Sequence, residues 1–242
     1  MKLVQGLGPL AEGRHAKGTL IISEGAVLAE WILIDSGVVS LCARVAGMEV
    51  AVATLWRGDV IGWDSPLGRE QARFDVRAMG EVRTLQLPAG QAPQVHAQMA
   101  GATEARLQQQ IFMRLAGNGL QRLVSVLATL AAALTEAAQR VPPSLALPLV
   151  QGCLGDLSGL SRRQTWIYLG QLAQAGWVRT TRTRVLLDGL DAWLALPAEI
   201  EREGLACIAT LELCTATLER LSLVSAEIQG LTPAARSSAS AR

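Results

Sequence analysis

The residues of this chain best suited to recognition chemistry are the arginines grouped between positions 151 and 187. That stretch, QGCLGDLSGLSRRQTWIYLGQLAQAGWVRTTRTRVLL, holds five arginines (Arg162, Arg163, Arg179, Arg182 and Arg184) against one acid, Asp156. A guanidinium fork bonds phosphate oxygens and, in a major groove, O6 and N7 of a single guanine. The residues around the arginines spell out a support for them. Leu154 and Leu157 face inward on a first helix, Gly155 permits close approach of a second, and Gly159 suits a tight turn. Ser161 is a good N-cap for a helix over 162–175, with Leu169 and Leu172 inside and Gly176 just past its end. Trp177-Val178-Arg179 and Arg184-Val185-Leu186-Leu187 then pair as a hairpin across residues 180–183. Gly152 and Gly155 weaken the first helix by about 1 kcal/mol each relative to alanine. Helix, turn, helix and hairpin together outline a winged helix-turn-helix, whose second helix enters the DNA major groove.

The chain has 242 residues, enough for one large domain or two ordinary ones. Half its residues are hydrophobic and 18% are charged, a core-forming composition. The formal charge of +1 implies no polyanion partner, but the distribution does. Residues 157–187 carry five bases and no acid, whereas residues 199–230 carry six acids against Arg202 and Arg220. A basic island in a neutral chain is the stronger nucleic-acid signal. Cys42, Cys153, Cys207 and Cys214 are scattered, without a C-x-x-C pair, as expected of reduced thiols in a cytoplasmic protein. No signal peptide is expected, and the apolar run over 123–134 is too short and alanine-rich to span a bilayer, so no membrane partner is expected.

The elements that would position the reader are also legible. From Lys17 to Leu87, glycines at 25, 37, 47, 58, 68 and 80 separate short β-prone runs: TLII, WILIDS, VVSLCARV, EVAVATL, DVIG, FDVRA and VRTLQL. Short strands at that spacing predict an antiparallel sandwich or barrel. After Pro88 and Pro93 the period changes. Leu107, Ile111 and Leu115 fall at i, i+4 and i+8, with Phe112 and Met113 widening the stripe. Gly117-Asn118-Gly119 breaks that helix, Asn118 caps the next, and Leu120, Leu123, Leu127, Leu130 and Leu134 line one face of it. The uncharged residues 141–149 read as a linker. Beyond Pro197, apolar residues three or four apart predict one long or two shorter amphipathic helices with an acidic outer face, and TPAARSSASAR from Leu231 predicts a disordered tail.

With these residues in view, KGTLIISEGAVLAEWILIDSGVVSLCARVAGMEVAVATLWRGDVIG resembles the cyclic-nucleotide-binding β-roll of the Crp–Fnr transcription factors. The resemblance rests on the G-T-L-I strand, the Gly37 turn, the Gly47 hairpin and the G-D-x-I-G run of residues 58–62. GDLSGLSRRQTWIYLGQLAQAGWV resembles the same family's helix-turn-helix, including the G-x-S-R turn and the glycine entering the wing. The similarity spans roughly residues 13–189, and the order of β-roll, long helix and winged helix is more specific than either half.

The resemblance implies a homodimer joined by the helix carrying Leu107, Ile111 and Leu115, with one winged helix on each half-site of double-stranded DNA. It places Arg162 at the family's base-reading position. Arg163 stands where the family often has Glu, and Ile167 where it often has Arg, so the target sequence does not carry over. Trp166 is expected to contact a thymine methyl or a sugar, and Ser161, Thr165 and the wing arginines Arg179, Arg182 and Arg184 complete the expected DNA surface. RNA polymerase is a further candidate partner. In the effector pocket Trp63, after Gly62, replaces the ribose-binding Glu. Aligned on Val76-Arg77-Ala78, Ala72 takes the position of the phosphate-binding Arg and Arg73 that of the following hydroxyl residue; a one-residue slip restores Arg73 but leaves Phe74 in place of the hydroxyl. Cyclic AMP or GMP is therefore not the expected ligand; an unidentified small-molecule effector, or none, is.

No iron–sulfur or haem site is expected, because the cysteines do not cluster and His15, His96 and Cys42 have no ligand spacing. No cofactor and no metal is expected. Two histidines and no phosphate loop leave nothing from which to build an enzyme. The expected fold is α+β: an N-terminal antiparallel β-roll of double-stranded β-helix or jelly-roll type over 1–98, connecting and dimerisation helices over 99–140, and a winged helix-turn-helix over 144–190. A C-terminal helical extension over 198–230 and a disordered tail over 231–242 follow. The other reading is a ligand-sensing or protein-interaction module whose winged helix docks a protein rather than DNA.

Overall fold

The computed structural model describes residues 10–63, 71–87, 93–136, 141–149, 151–181 and 184–228. The expected tail over 231–242 lies outside them. The chain divides into two units, residues 1–115 with 152–160, and residues 116–151 with 161–242.

Among its described residues the first unit has eight strands: β1 (Glu12–His15), β2 (Leu20–Ile22), β3 (Trp31–Ser36), β4 (Val38–Val45), β5 (Met48–Trp56), β6 (Val60–Ile61), β7 (Asp75–Ala78) and β8 (Val82–Leu87). They form two four-stranded antiparallel sheets, β1-β8-β3-β6 and β2-β7-β4-β5. All but β1 coincide with the glycine-punctuated runs. EGRH carries no apolar alternation, and it becomes a strand by pairing Glu12 to His15 with Leu85 to Val82 of β8. The core lies between the sheets: Ile34, Ile61 and Val82 from one meet Val39, Leu41, Leu55 and Val76 from the other. Alternation along β3 sends Trp31 and Leu33 to the opposite face, where they pack with Val60, Leu87 and Met99. Gly37 joins β3 to β4 at φ +90°, and a Cβ there would lie 2.4 Å from the Glu81 carbonyl, so this turn accepts only glycine.

Strand β5 ends its sheet and leaves backbone groups without a neighbouring strand. Helix α1 (Pro93–Leu115) covers that edge with polar side chains. Gln110 accepts from the Thr54 amide at 2.9 Å and donates to the Thr54 carbonyl at 2.8 Å, as a further strand would. Arg114 donates to the Val52 carbonyl, and Thr103 accepts from the Val60 amide at 3.1 Å. Asp59 has no exposed side-chain surface. Its two oxygens accept from the Trp56 amide at 2.9 Å and from Arg106 of α1 at 2.8 Å. Arg106 also lies over the Trp56 ring, 5.3 Å from its centroid. Residues 152–160 belong to this unit because Asp156 of α3 (Gln151–Ser158) accepts from the Ala51 amide at 3.2 Å and Arg114 donates to the Leu157 carbonyl at 2.9 Å.

The second unit is built on α2 (Gly119–Thr135), capped as expected by Asn118, which exchanges hydrogen bonds with Gln121 in a capping box. Leu120, Leu123, Leu127 and Leu130 of α2 are buried. Residues 141–149 are not only a linker: β9 (Ser144–Leu147) pairs with β11 (Val185–Asp188), which pairs with β10 (Val178–Thr180). SLAL has too little β-branched character to be recognised alone, and it is the partner strand that makes it one. Helix α5 (Leu190–Glu203) begins before Pro197 rather than after it. Burial of Leu190, Trp193 and Leu196 outweighs the hydrogen bond that an internal proline removes. A 3₁₀ turn (Leu205–Ile208) and α6 (Leu211–Ile228) follow. The C-terminal helices are tied down at the turn between them. Gln121 and Asn118 donate to the Leu205 and Ala209 carbonyls at 2.6 and 2.7 Å. Glu199, expected on an acidic outer face, is buried and bonded to Arg202 of its own helix and Arg220 of α6. Those two guanidinium groups hold its carboxyl below the usual carboxylate range.

Burial pushes the Asp59 carboxyl up to about 6, against the pull of the Trp56 amide and Arg106. An unfolded aspartate titrates near pH ~4, so between those values the folded chain binds more protons than the unfolded one. The contribution of Asp59 is thus fully present below about pH 4 and is lost as pH rises through about 6. Urea unfolding of the native chain and Asp59→Asn should diverge accordingly: native minus variant stability falls by something on the order of 3 kcal/mol from pH 4 to pH 7. A pH-independent difference would contradict the assignment.

Candidate nucleic-acid interface

Helix α4 (Arg162–Gln174) starts at Ser161, whose hydroxyl accepts from the Gln164 amide at 3.2 Å while Gln164 Oε1 accepts from the Ser161 amide at 3.1 Å. Leu169 and Leu172 hold its inner face, and Gly176 follows its end at φ +82°. Arg162 and Arg163 occupy the first two helical positions, both exposed, with no acid in that turn. The unpaired amides of a helix N-terminus carry partial positive charge, so each arginine there is unfavourable by about 0.3–1 kcal/mol in the free protein. Among the described residues neither makes an ion pair, and the turn is ready to take up negative charge.

The expected surface is partly assembled and partly corrected. Trp166 is 67% exposed and Ile167 lies beside it, also exposed. Thr165 is fully buried and donates its hydroxyl to the Ser161 carbonyl at 3.0 Å. It therefore anchors the helix start and offers nothing to a groove. Arg179 is also committed elsewhere: its fork closes on both Asp188 oxygens, at 2.6 and 2.7 Å across the β10–β11 ladder. The pairing was not legible because the two residues lie nine apart and meet only when the hairpin forms. Arg184 is exposed at the hairpin end, where its amide donates to Thr181 Oγ1 at 3.1 Å. Arg182 lies outside the described residues. Gln164, Thr180 and Thr181 are exposed beside these residues, and nothing in their types marked them.

In the first unit, the stripe of Leu107, Ile111 and Leu115 divides. Leu107 turns toward the roll core, because α1 lays its polar face on β5 and carries this residue inward. Ile111, Phe112 and Leu115 remain exposed, Leu115 at 75%. In the effector region Trp63, Ala72 and Phe74 pack onto the roll core. Gly62, at φ +91°, lets Leu28 and Trp31 close in, and Arg73 is exposed. The cavity left there is about 10 Å³, room for about one water molecule. His15 is hydrogen-bonded to Thr84 at 3.0 Å, and His96 stacks against Trp31 with centroids 4.7 Å apart, its pKa lowered by burial. Among the described residues no group of three His, Cys, Asp or Glu could hold a metal ion, and no helix is long and apolar enough to cross a membrane.

Residues 12–98 match the cyclic nucleotide-binding domain family. Among curated proteins none matches the sequence. A CRP-family transcriptional regulator of Thermus thermophilus superposes with a TM-score of 0.65 at 20% identity, over 79% of this chain and 96% of its own. A CRP/FNR-family regulator of the same organism gives 0.63 at 18% identity, over 82% and 98%. The c-di-GMP responsive global regulator CLP of Xanthomonas campestris gives 0.56 at 16% identity, over 74% and 94%. At these identities the likeness establishes the fold: an antiparallel β-sheet N-terminal domain followed by a helical C-terminal region, as in these regulators.

The helix start yields a pair of opposed stability effects. Arg163→Glu should stabilise the free chain by about 1 kcal/mol, since it places an anion on the positive helix end. Ser161→Ala should destabilise it by about 1 kcal/mol through loss of the cap. Denaturant midpoints at low ionic strength read both, and a destabilising Arg163→Glu would mean the arginine has an internal partner.

Proposed function

We propose that this chain, which has the fold of the Crp–Fnr regulators, is a sequence-specific DNA-binding transcription regulator that acts as a homodimer in the cytoplasm. The observation that carries this reading is the exposed, acid-free start of α4, where Arg162 and Arg163 sit uncompensated on a positive helix end. A phosphate or a guanine edge supplies what the free protein lacks there. Arg162 is the base reader. Arg163 and Arg184 neutralise phosphates, with Arg182 beside them on the wing, while Arg179 holds the hairpin in register with Asp188. Ile111, Phe112 and Leu115 form the face on which α1 meets the same helix of a second copy, which would cover three large apolar side chains exposed within five positions of one helix. Contact with RNA polymerase belongs to the same reading.

The effector is not a cyclic nucleotide. Trp63 and Phe74, which stand where the resemblance would put a ribose-binding carboxylate and a phosphate-binding hydroxyl, line a cavity of about 10 Å³, whereas ligand pockets of useful size are roughly 300 Å³ or more. The signal is a different small molecule, or the dimer is constitutively competent.

On a site selected from random DNA, log K should fall linearly with log salt, with a slope of about −0.9 per phosphate neutralised. Arg162→Ala should cost about 1–3 kcal/mol on that site and relax one base position. Weak salt dependence together with unchanged binding by Arg162→Ala would instead favour a winged helix that docks a protein. Calorimetry with cyclic AMP and cyclic GMP should give no heat of binding at ligand concentrations up to about 1 mM, the weak end of specific affinities; a micromolar site would overturn the pocket reading.

A further inference from the structure

The outward face of α4 is unusual in a way the arginines do not explain. With buried Thr165, Leu169 and Leu172 setting the inner side, the opposite side runs through Arg163, Trp166, Ile167, Gly170 and Gln174. This is where a surface helix is ordinarily most polar. Between Arg163 and Gln174 it instead carries an isoleucine, with a tryptophan on its flank, both exposed. Gly170 sits in the next turn, in mid-helix, with helical rather than left-handed backbone, and a Cβ built on it would meet nothing within 4 Å. No packing or conformational need inside the chain calls for glycine there, although it weakens the helix relative to alanine. A glycine of that kind fits a helix that another surface must approach closely.

We infer that Trp166, Ile167 and Gly170 form an apolar reading strip that recognises thymine 5-methyl groups in the major groove, an inference that rests on the DNA reading proposed above. The flanking charge selects this occupant. Arg163 stands in the same exposed row and Arg162 one turn before Trp166, and no acid lies between positions 157 and 187, which suits a polyanion and disfavours an acid-poor protein groove. The thymine methyl is the one apolar group on the major-groove edges of the bases. Trp166 covers it and Ile167 extends the contact. Gly170 lets the helix lie deep enough for both to reach. The strip thus gives the half-site an A·T step beside the base pair read by Arg162.

The test uses the full-length chain and a site selected from random DNA. Replacing a thymine by uracil removes the methyl and leaves every hydrogen-bonding group in place. At one or two positions per half-site this should weaken binding by about three- to fourfold per methyl, the factor for burying one methyl-sized group. Trp166→Ala should bind the thymine and uracil sites equally. Gly170→Ala should raise the melting temperature and yet bind the thymine site several-fold more weakly. The inference is overturned if uracil at every thymine leaves wild-type affinity unchanged, if Trp166→Ala keeps the preference, or if Gly170→Ala binds as tightly as the native chain. Selection of a site with steep salt dependence, combined with any of those three results, would remove the strip alone; failure to select any site would remove the DNA reading with it.

Discussion

The first unit depends on closing the open edge of β5. A terminal strand presents amides and carbonyls that, once dry, each cost about 1–3 kcal/mol without a partner. Here the partners are side chains of α1, Gln110 on both groups of Thr54 and Arg114 on Val52, and the same helix face goes on beyond the strand with Thr103 on Val60 of β6 and Arg106 on Asp59, which itself accepts from Trp56. These positions recur every three or four residues and therefore lie on one face of the helix. Fixing that face on the sheet fixes the opposite one as well, and this is why Ile111, Phe112 and Leu115 are turned outward together. The same edge holds α3, through Asp156 on Ala51 and Arg114 on Leu157. One strand edge thus organises the helix proposed to join two copies and the helix that precedes the basic one in sequence.

The second unit supports the opposite kind of feature. Its internal electrostatics are settled: Glu199 lies between Arg202 and Arg220, and Arg179 is closed on Asp188. Against that background the first turn of α4 stands out, with two exposed arginines at a positive helix end. Local rules are satisfied at Ser161 and Gln164 and broken immediately afterwards, the pattern expected where a sequence serves a partner rather than its own fold.

Much of this was readable from residue order because it follows from short-range rules. Glycine spacing and β-prone runs marked seven of the eight strands of the roll, Asn118 and Ser161 announced their caps, and Gly176 ended the basic helix. What escaped were features created by a distant partner. EGRH and SLAL are strands only because β8 and β11 lie beside them. Thr165, polar and next to the arginines, looked like a surface residue, yet Ser161 takes its hydroxyl and the inner face takes its methyl. Leu107 shared a period with Ile111 and Leu115, but a period gives a face without saying what lies against it.

By itself the sequence determined the element types, their order and the concentration of positive charge in one acid-free stretch. Each of these is a property of residue identity or of neighbours within a few positions. Only the tertiary structure decided which arginines stay uncompensated: Arg179 and Arg106 are taken up by Asp188 and Asp59, while Arg162 and Arg163 are left exposed. It also decided that Trp63 and Phe74 pack onto the core of the roll. Burial, hydrogen-bond satisfaction and charge pairing depend on what is adjacent in space, and that adjacency is set by chain segments tens of residues apart.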